Sequence, residues 1–251
     1  MQNFLIFSSI PKLVKIGQFL PCGPFYDTNF SGNDCEELFH KNLETKPNDW
    51  RYRTSPVKYT YNKHYYRTEE FNQIDWSQSI VIFGCSNVFG VGVDDDDTVS
   101  GQLSRMINRP VINMGVGGSS ITHALHNAVI LNANYPMPFG VVNLWTEYNR
   151  TVYYYKNQVK NYGSWNFEEN NYMDVWSESS YHSMTHATIA SMTSKQLWKT
   201  TRYYEASFFR NTAELLQCDT LARVDYARDD CHCGYDTLKL AAEKIAEKLN
   251  L

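Results

Sequence analysis

The clearest hydrophobic pattern in the chain begins near Ser79, where short apolar runs alternate with longer amphipathic stretches. The runs have the length and β-branched content of buried strands, and the stretches between them show helical spacing. The pattern predicts strands at 80–84, 111–114 and 140–145 and helices at 98–108 and 121–134. Strands that alternate with helices form right-handed βαβ units. We therefore expect an α/β fold of three α/β/α layers, in which the middle layer is a short parallel sheet.

The sequence on either side of this region is less regular. Residues 1–76 mix polar and aromatic positions with turn signals, which predicts an irregular N-terminal lobe or arm ahead of a domain at 77–251. An aromatic, polar stretch at about 146–181 is interpreted as an insertion in that domain. After it we expect a helical region at about 185–216, a short fourth strand within 221–226 and a closing amphipathic helix at 237–251.

Two short motifs, far apart in the sequence, contain a candidate serine nucleophile and its base. Gly84-Cys85-Ser86-Asn87 closes the first strand, so Ser86 is expected in the turn at its carboxyl end, where open α/β sheets bind ligands. Asp229 and His232 stand three residues apart, and one short turn places both side chains on the same side of the backbone. A serine hydroxyl needs a base within hydrogen-bond reach, and a carboxylate fixes the tautomer of that base. The alternative for Ser86 alone is a helix N-cap after a strand.

These two motifs, with N-M-G-V-G-G-S-S at 113–120 between them, resemble the SGNH/GDSL hydrolases, a family of esterases, lipases and carbohydrate O-deacetylases. The resemblance covers about residues 77–251 and implies a flavodoxin-like sheet, a serine esterase activity and no cofactor. It assigns catalytic roles to three residues: Ser86, Asp229 and His232. It also places the backbone N–H groups of Ser86 and Gly118 in the oxyanion hole, while Cys85 stands where the family usually has Asp.

The third motif of that family, usually G-x-N-D after the third strand, is missing from 142–150. Its asparagine normally supplies a further oxyanion donor. Asn149 is the nearest amide but comes late in register, whereas Glu147 aligns better and cannot donate a hydrogen bond when ionised. Two interpretations stay open: an esterase, with Asn149 as a candidate third donor, or a catalytically weak binding or structural module, associated with a virion, that kept the fold.

A further segment bears on origin. Val57–Asn62, followed by Tyr66 and Arg67, resembles a stretch that precedes the hydrolase core in phage-encoded relatives of the family. An ordinary edge strand or extended arm is the alternative that the pattern favours. If the chain is phage-encoded, a virion-associated protein is the expectation, and otherwise a cytoplasmic one.

Composition narrows the function further. The net charge is −4 and basic residues are scattered, which argues against nucleic-acid binding by phosphate neutralisation. No apolar run reaches the roughly 18–20 residues of a membrane span, and the N-terminus lacks a signal-peptide pattern. We therefore expect a soluble protein, with no membrane or nucleic-acid partner, that acts on a small-molecule or glycan ester.

Other candidate sites have weaker support. The six cysteines show no disulfide framework; Cys231 and Cys233 flank His232, but no second ligand pair completes a zinc site, so we expect no metal. The glycines at 115–118 match no phosphate-loop motif. The acidic run at 94–97 lacks the ligand spacing of a calcium loop, which favours a solvated turn before a helix.

Aromatic residues make up 15% of the chain, and many lie between Trp145 and Trp176, after the third strand. At the catalytic edge of the sheet they would form a sugar-binding wall, whereas the alternative is the core of the insertion; the pattern leaves both open. Together with the absence of a lipase-like apolar lid, this stretch favours the O-acetyl groups of a glycan as the substrate.

Overall fold

The computed structural model describes residues 19–20, 28–155, 158–163 and 180–251. Its strands are β1 (Ile80–Gly84), β2 (Val111–Gly115), β3 (Gly140–Trp145), β4 (Thr151–Tyr155), β5 (Gln158–Tyr162), β6 (Arg202–Ser207) and β7 (Asp219–Thr220). Its α-helices are α1 (Glu36–Thr45), α2 (Ser86–Phe89), α3 (Val99–Ile107), α4 (Ile121–Asn134), α5 (Ser180–Leu197), α6 (Arg210–Leu216) and α7 (Tyr235–Leu249). The predictions of β1, β2, β3, α3, α4 and α7 are confirmed to within two residues at each end.

Five parallel strands form the central sheet in the order β2-β1-β3-β6-β7, and β4 pairs with β5 in a separate antiparallel hairpin. Ile80 of β1 pairs with Val111 on one side and with Gly140 on the other, so the strand order reverses between β1 and β3. Sheets of this kind bind ligands outside the carboxyl ends of their strands, at the point of reversal. The predicted α/β class is confirmed, and Ser86, just beyond β1, stands at that point.

Helices cover both faces of this sheet. α3 packs against α7, and α4 packs against α5. The right-handed crossovers through α3 and α4 run in opposite directions across the sheet, which puts the two helix pairs on opposite faces. The hydroxyl of Thr98 accepts a hydrogen bond from the Gly101 N–H at 3.0 Å and so caps the N-terminus of α3.

The predicted single helical region at 185–216 is wrong, as is the predicted strand within 221–226. α5 ends at Leu197, β6 occupies Arg202–Ser207, and α6 follows it. β6 supplies the fourth strand, and β7 extends the sheet by only two residues beside it.

A buried carboxylate explains why β6 lacks a strand-like sequence pattern. Glu205 lies on the face of β6 that packs under α5, where its carboxylate accepts hydrogen bonds from the Trp145 indole at 3.1 Å and the Tyr203 hydroxyl at 2.8 Å. Lys195 of α5 pairs with it at 2.6 Å. Two of these partners, Trp145 and Lys195, lie on other elements, so the sequence around Glu205 does not show that its charge is compensated. The strand therefore has the polar pattern of a surface segment.

The N-terminal lobe packs on the sheet rather than extending from it. Its regular elements among the described residues are α1 and two turns of 3-10 helix, Arg51–Arg53 and Trp76–Gln78, which agrees with the irregular character predicted. Several of its side chains are buried in one core with the sheet: Tyr52, Val57, Tyr59, Tyr66, Phe71 and Trp76. The segment Val57–Asn62 forms no strand. The boundary at 76/77 stays a prediction.

Arg67 attaches this lobe to the turn that follows α2. Its buried guanidinium donates hydrogen bonds to the carbonyl oxygens of Phe89 at 3.1 Å and Gly90 at 2.6 Å, and it pairs with Asp95. The same guanidinium lies 4.5 Å from the centre of the Tyr59 ring. The lobe therefore fixes the loop that leaves Ser86.

Candidate active site

Ser86 is the first residue of α2, and only 7% of its surface is exposed. The N-cap position belongs to Cys85, whose side chain makes no capping hydrogen bond. Ser86 itself therefore occupies the first helical position and not the cap. The alternative of Ser86 as a helix N-cap is wrong, because Cys85 holds that position. The backbone N–H of Ser86, like every first-turn N–H, has no acceptor within its helix.

Asp229 and His232 lie on a hairpin that is closed by an antiparallel bridge between Tyr226 and Cys233. His232 Nδ1 lies 2.5 Å from Asp229 Oδ2, and Asp229 Oδ1 accepts the backbone N–H groups of Cys231 at 3.1 Å and His232 at 3.0 Å. The Asp229 side chain is fully buried, whereas 14% of the His232 side chain is exposed. The predicted turn thus brings the two side chains together as a buried acid beneath a partly exposed base.

The environment of Asp229 keeps it ionised. Burial pushes the pKa of this carboxyl upward, but the hydrogen bonds and charge of His232 and the two backbone N–H groups outweigh burial, so the net pKa is lowered from 3.8. A carboxylate on Nδ1 holds the proton of neutral His232 at that nitrogen. The lone pair of Nε2 is then available as a base.

Two hydrogen bonds attach this hairpin to α2 and the turn after it. The backbone N–H of Cys233 donates to Asn87 Oδ1 at 3.1 Å, and the N–H of Arg228 donates to the Gly92 carbonyl at 3.0 Å. Asn87 directly follows Ser86, and Cys233 directly follows His232. The structure therefore brings the two distant motifs together, although it shows no hydrogen bond between Ser86 and His232. Catalytic hydrogen bonds are often long in ligand-free enzymes and tighten with substrate.

Gly118 lies in a tight turn that is held against the end of β1. The Val116 N–H donates to the Gly84 carbonyl at 3.1 Å, and the Ser119 hydroxyl donates to the same oxygen at 3.2 Å. Gly118 has a φ of +68°, a conformation that costs a residue with a Cβ of the order of 1–2 kcal/mol. The turn thus keeps Gly118 close to the residues that lead into Ser86.

The position expected of a third oxyanion donor has no obvious amide. Glu147, the residue in better register, accepts a hydrogen bond from Arg150 Nε at 2.8 Å and pairs with its Nη2 at 2.7 Å. Tyr148 donates its backbone N–H to the Thr212 hydroxyl at 3.1 Å. Asn149 is exposed on the loop after β3. A role for Asn149 as third donor stays a prediction.

Sequence reasoning missed the residues that support the hairpin from the N-terminal lobe. Arg228, the neighbour of Asp229, donates from Nε to Asp34 Oδ1 at 2.8 Å and from Nη2 to Asp34 Oδ2 at 2.6 Å. The Tyr59 hydroxyl donates to the same carboxylate at 2.5 Å and accepts the N–H of Gly92 at 2.7 Å. Asp34 is buried in a segment with no regular pattern, and only the position of Arg228 beside the motif could have drawn attention to it.

The candidate metal positions have other partners among the described residues. Asp229, Cys231 and His232 each place one potential ligand atom within 4.8 Å of the others, but the Asp229–His232 hydrogen bond already engages two of the three side chains. In the acidic run, Asp95 pairs with Arg67 and Asp97 pairs with Arg51. Both arrangements are stabilised without an ion.

Most of the aromatic stretch proposed as a sugar-binding wall lies outside the side chains that the structure describes. Trp145, its first member, is buried beneath α5 with its indole on Glu205, so it does not belong to a surface wall. Within the described residues, no helix is long and apolar enough to cross a membrane.

No protein-family model and no curated protein matches the chain. Twenty-four chains of solved structures do match, and many of these neighbours are GDSL or SGNH-hydrolase esterases and lipases. AlinE4, an SGNH-hydrolase family esterase, is 14% identical over 71% of this chain and 75% of its own, with a TM-score of 0.34. A member of the lipolytic protein G-D-S-L family from Veillonella parvula is 12% identical, with a TM-score of 0.40. The match covers 67% of this chain and 96% of that protein.

An acetyl xylan esterase from Butyrivibrio proteoclasticus is 8% identical to this chain, with a TM-score of 0.44. The match covers 70% of this chain and 64% of that enzyme. Because all three likenesses have low identities and TM-scores below 0.5, the assignment of an activity depends on the geometry of the site itself.

Proposed function

We propose that the chain is a serine ester hydrolase of the SGNH type, with Ser86 as nucleophile and His232 and Asp229 as base and orienting acid. The observation that carries the proposal is the 2.5 Å contact of His232 Nδ1 with the buried Asp229, on a hairpin hydrogen-bonded to the residue after Ser86. A purely structural role for Ser86 would not account for a carboxylate–imidazole pair on a hairpin that is bonded to the next residue.

The reaction has two halves. Ser86 Oγ attacks the ester carbonyl carbon while His232 Nε2 takes the hydroxyl proton, and the backbone N–H groups of Ser86 and Gly118 bind the oxyanion. His232 then gives that proton to the leaving alkoxide as the carbon–oxygen bond breaks, which leaves an acyl-enzyme. Water attacks the acyl carbon, His232 accepts its proton, and Ser86 departs with that proton as the acid is released.

For the ester itself we propose the O-acetyl group of a glycan. Ser86 is only 7% exposed, which leaves little room for the acyl group and favours a small one such as acetyl. The aromatic-rich sequence 145–176 starts at the carboxyl end of β3, the same sheet edge as Ser86. Aromatic faces suit the C–H face of a sugar ring better than they suit an anionic substrate.

Turnover of p-nitrophenyl acetate tests the hydrolase proposal. We expect Ser86→Ala to reduce kcat/KM by at least about 10³-fold. Ser79→Ala is the matched control, since Ser79 flanks the other end of β1 and its hydroxyl donates to the Asp75 carbonyl at 2.7 Å. Equal rates in wild type and Ser86→Ala would sink the proposal, as would the absence of turnover with acetyl and butyryl esters alike.

A second candidate, a binding or structural protein with little catalysis, is favoured by the ion pair of Glu147 with Arg150 where the family has an amide donor. The two candidates differ in the reactivity of Ser86. If Ser86 does not react with a fluorophosphonate and the protein still binds a glycan or a virion component, the result supports this second function.

A further inference from the structure

The short helix α2 is fixed to the sheet from the side of β2. Asn113, a buried residue of β2, donates from its side-chain amide to the Val88 carbonyl at 2.9 Å and accepts the N–H of Gly115 at 2.9 Å. Gly115 lies so close to α2 that a Cβ there would come within 2.3 Å of the Phe89 backbone nitrogen. Because α2 has little freedom to move, the position of the nucleophile relative to the base depends on where the Asp229–His232 hairpin lies.

The end of this hairpin that carries Asp229 is fixed by several contacts. The Arg228 N–H donates to the Gly92 carbonyl at 3.0 Å, and the Arg228 guanidinium pairs with the buried Asp34. A Cβ on Gly92 would lie 3.2 Å from the Asp229 backbone nitrogen, so the turn after α2 packs directly against this end. These contacts hold the acid in place without the help of a side chain from α2.

The other end of the hairpin, which carries His232, is attached to α2 through a side chain. The Cys233 N–H donates to Asn87 Oδ1 at 3.1 Å, with only 3% of Asn87 and 1% of Cys233 exposed. Each partner of this hydrogen bond is the direct neighbour of a proposed catalytic group, since Asn87 follows Ser86 and Cys233 follows His232. The bond is therefore a short link between the nucleophile and the base.

We propose that Asn87 is a positioning residue, whose side-chain oxygen sets the place of the His232 imidazole relative to the Ser86 hydroxyl. The inference rests on the proposed function, since it concerns the same triad. Without this acceptor the buried Cys233 N–H loses its partner, and the His232 end of the hairpin shifts, because buried N–H groups are seldom left unpaired. A displacement of about 1 Å at a catalytic group costs of the order of 10²-fold in rate.

A positioning role and a purely structural role of Asn87 have different consequences. If Asn87 only stabilised the shape of α2, its loss would reduce the reactivity of Ser86 whether or not a base is present. If Asn87 acts by placing His232, its loss has no further effect once the imidazole has been removed. A double-mutant cycle of Asn87 with His232 separates the two roles.

The cycle compares wild type, Asn87→Ala, His232→Ala and the double variant by the rate of fluorophosphonate labelling at Ser86. Asn87→Ala should label at least about tenfold more slowly than wild type, whereas the two variants without His232 should label within about twofold of each other. With p-nitrophenyl acetate, Asn87→Ala should lower kcat and leave KM within about twofold of the wild-type value. Asn134→Ala is the matched control and should behave like wild type, since Asn134 is an exposed amide on α4 that donates to the Ile130 carbonyl at 2.9 Å.

Asn87→Ser takes the place of Asn87→Ala in the cycle if the alanine variant does not fold, because a serine hydroxyl is too short to reach the Cys233 N–H. The inference is overturned if the Asn87 variant labels as fast as wild type, or if it slows labelling as much without His232 as with it. Either result, with Ser86 labelled in wild type, would leave the hydrolase proposal standing. Absence of label on Ser86 in wild type would instead refute the hydrolase proposal, and the positioning role with it.

Discussion

Arg228 and Asp34, which are 194 residues apart in sequence, form a two-pronged guanidinium–carboxylate pair with both side chains buried. The guanidinium also lies over the rings of Phe30 and Phe39, at 4.6 and 5.1 Å from their centres. The pair therefore anchors the residue next to Asp229 to the N-terminal lobe, so the lobe helps to hold the proposed orienting acid in place.

We expect Arg228→Ala to lower the free energy of unfolding by about 3–5 kcal/mol, because it leaves the Asp34 carboxylate buried without its cation. Arg210→Ala is the control, since Arg210 pairs with Glu214 at the surface and such pairs contribute only about 0.3–0.5 kcal/mol. Urea unfolding of both variants measures the difference. If the two variants lost equal stability, the buried pair would not be an anchor.

Asp229→Asn should reduce kcat by about 10⁴ while p-nitrophenyl acetate still binds, because an amide cannot hold His232 in the required tautomer or stabilise its imidazolium. Steady-state kinetics measure this effect. Asp230→Asn provides the comparison, since the Asp230 carboxylate pairs with Lys46, whereas the carboxylate on His232 Nδ1 is that of Asp229. If Asp229→Asn retained wild-type kcat, Asp229 would have no catalytic role.

The lowered pKa of Asp229 predicts a pH dependence of stability. Because its pKa in the folded chain is below 3.8, the unfolded state binds more protons between the two pKa values. The stabilisation by Asp229 is therefore fully present above about pH 5 and is lost as the pH falls through the folded-state pKa. Urea unfolding at a series of pH values should show the wild type and Asp229→Asn converging in acid. A difference that is constant with pH would contradict the assignment.

Gly118→Ala tests the oxyanion turn. Its φ of +68° strains any residue with a Cβ, so the turn should shift and move the N–H away from the oxyanion. Loss of one such donor typically lowers kcat by about 10²–10³. Gly117→Ala, in the same turn but without a positive φ, should retain most of the activity. If both variants had wild-type kcat, Gly118 would be excluded from the oxyanion hole.

Asn149→Ala addresses the third donor. Because Asn149 is exposed, we expect kcat to change little. A loss of about 10² or more would instead identify Asn149 as a donor that turns inward with substrate.

The contrast between these residues shows what the sequence could and could not predict. Short-range patterns predicted β1, β3 and the turn from Asp229 to His232, since the residues that determine them are neighbours. The strand β6 was missed because Glu205 gains its partners from Trp145 and Lys195 on other elements. The Arg228–Asp34 pair depends on a contact between the lobe and the hairpin, for which the sequence carries no periodic signal.

The reactivity of Ser86 with a fluorophosphonate is the most direct test of the central claim, that Ser86 is an activated nucleophile. The modified residue is identified by peptide mass spectrometry in wild type, Ser86→Ala, His232→Ala and the control Ser79→Ala. We predict that the label forms on Ser86 in wild type and Ser79→Ala, that Ser86→Ala takes none, and that His232→Ala reacts far more slowly. Absence of label at Ser86 in wild type, under conditions that label a known serine esterase, would contradict the claim.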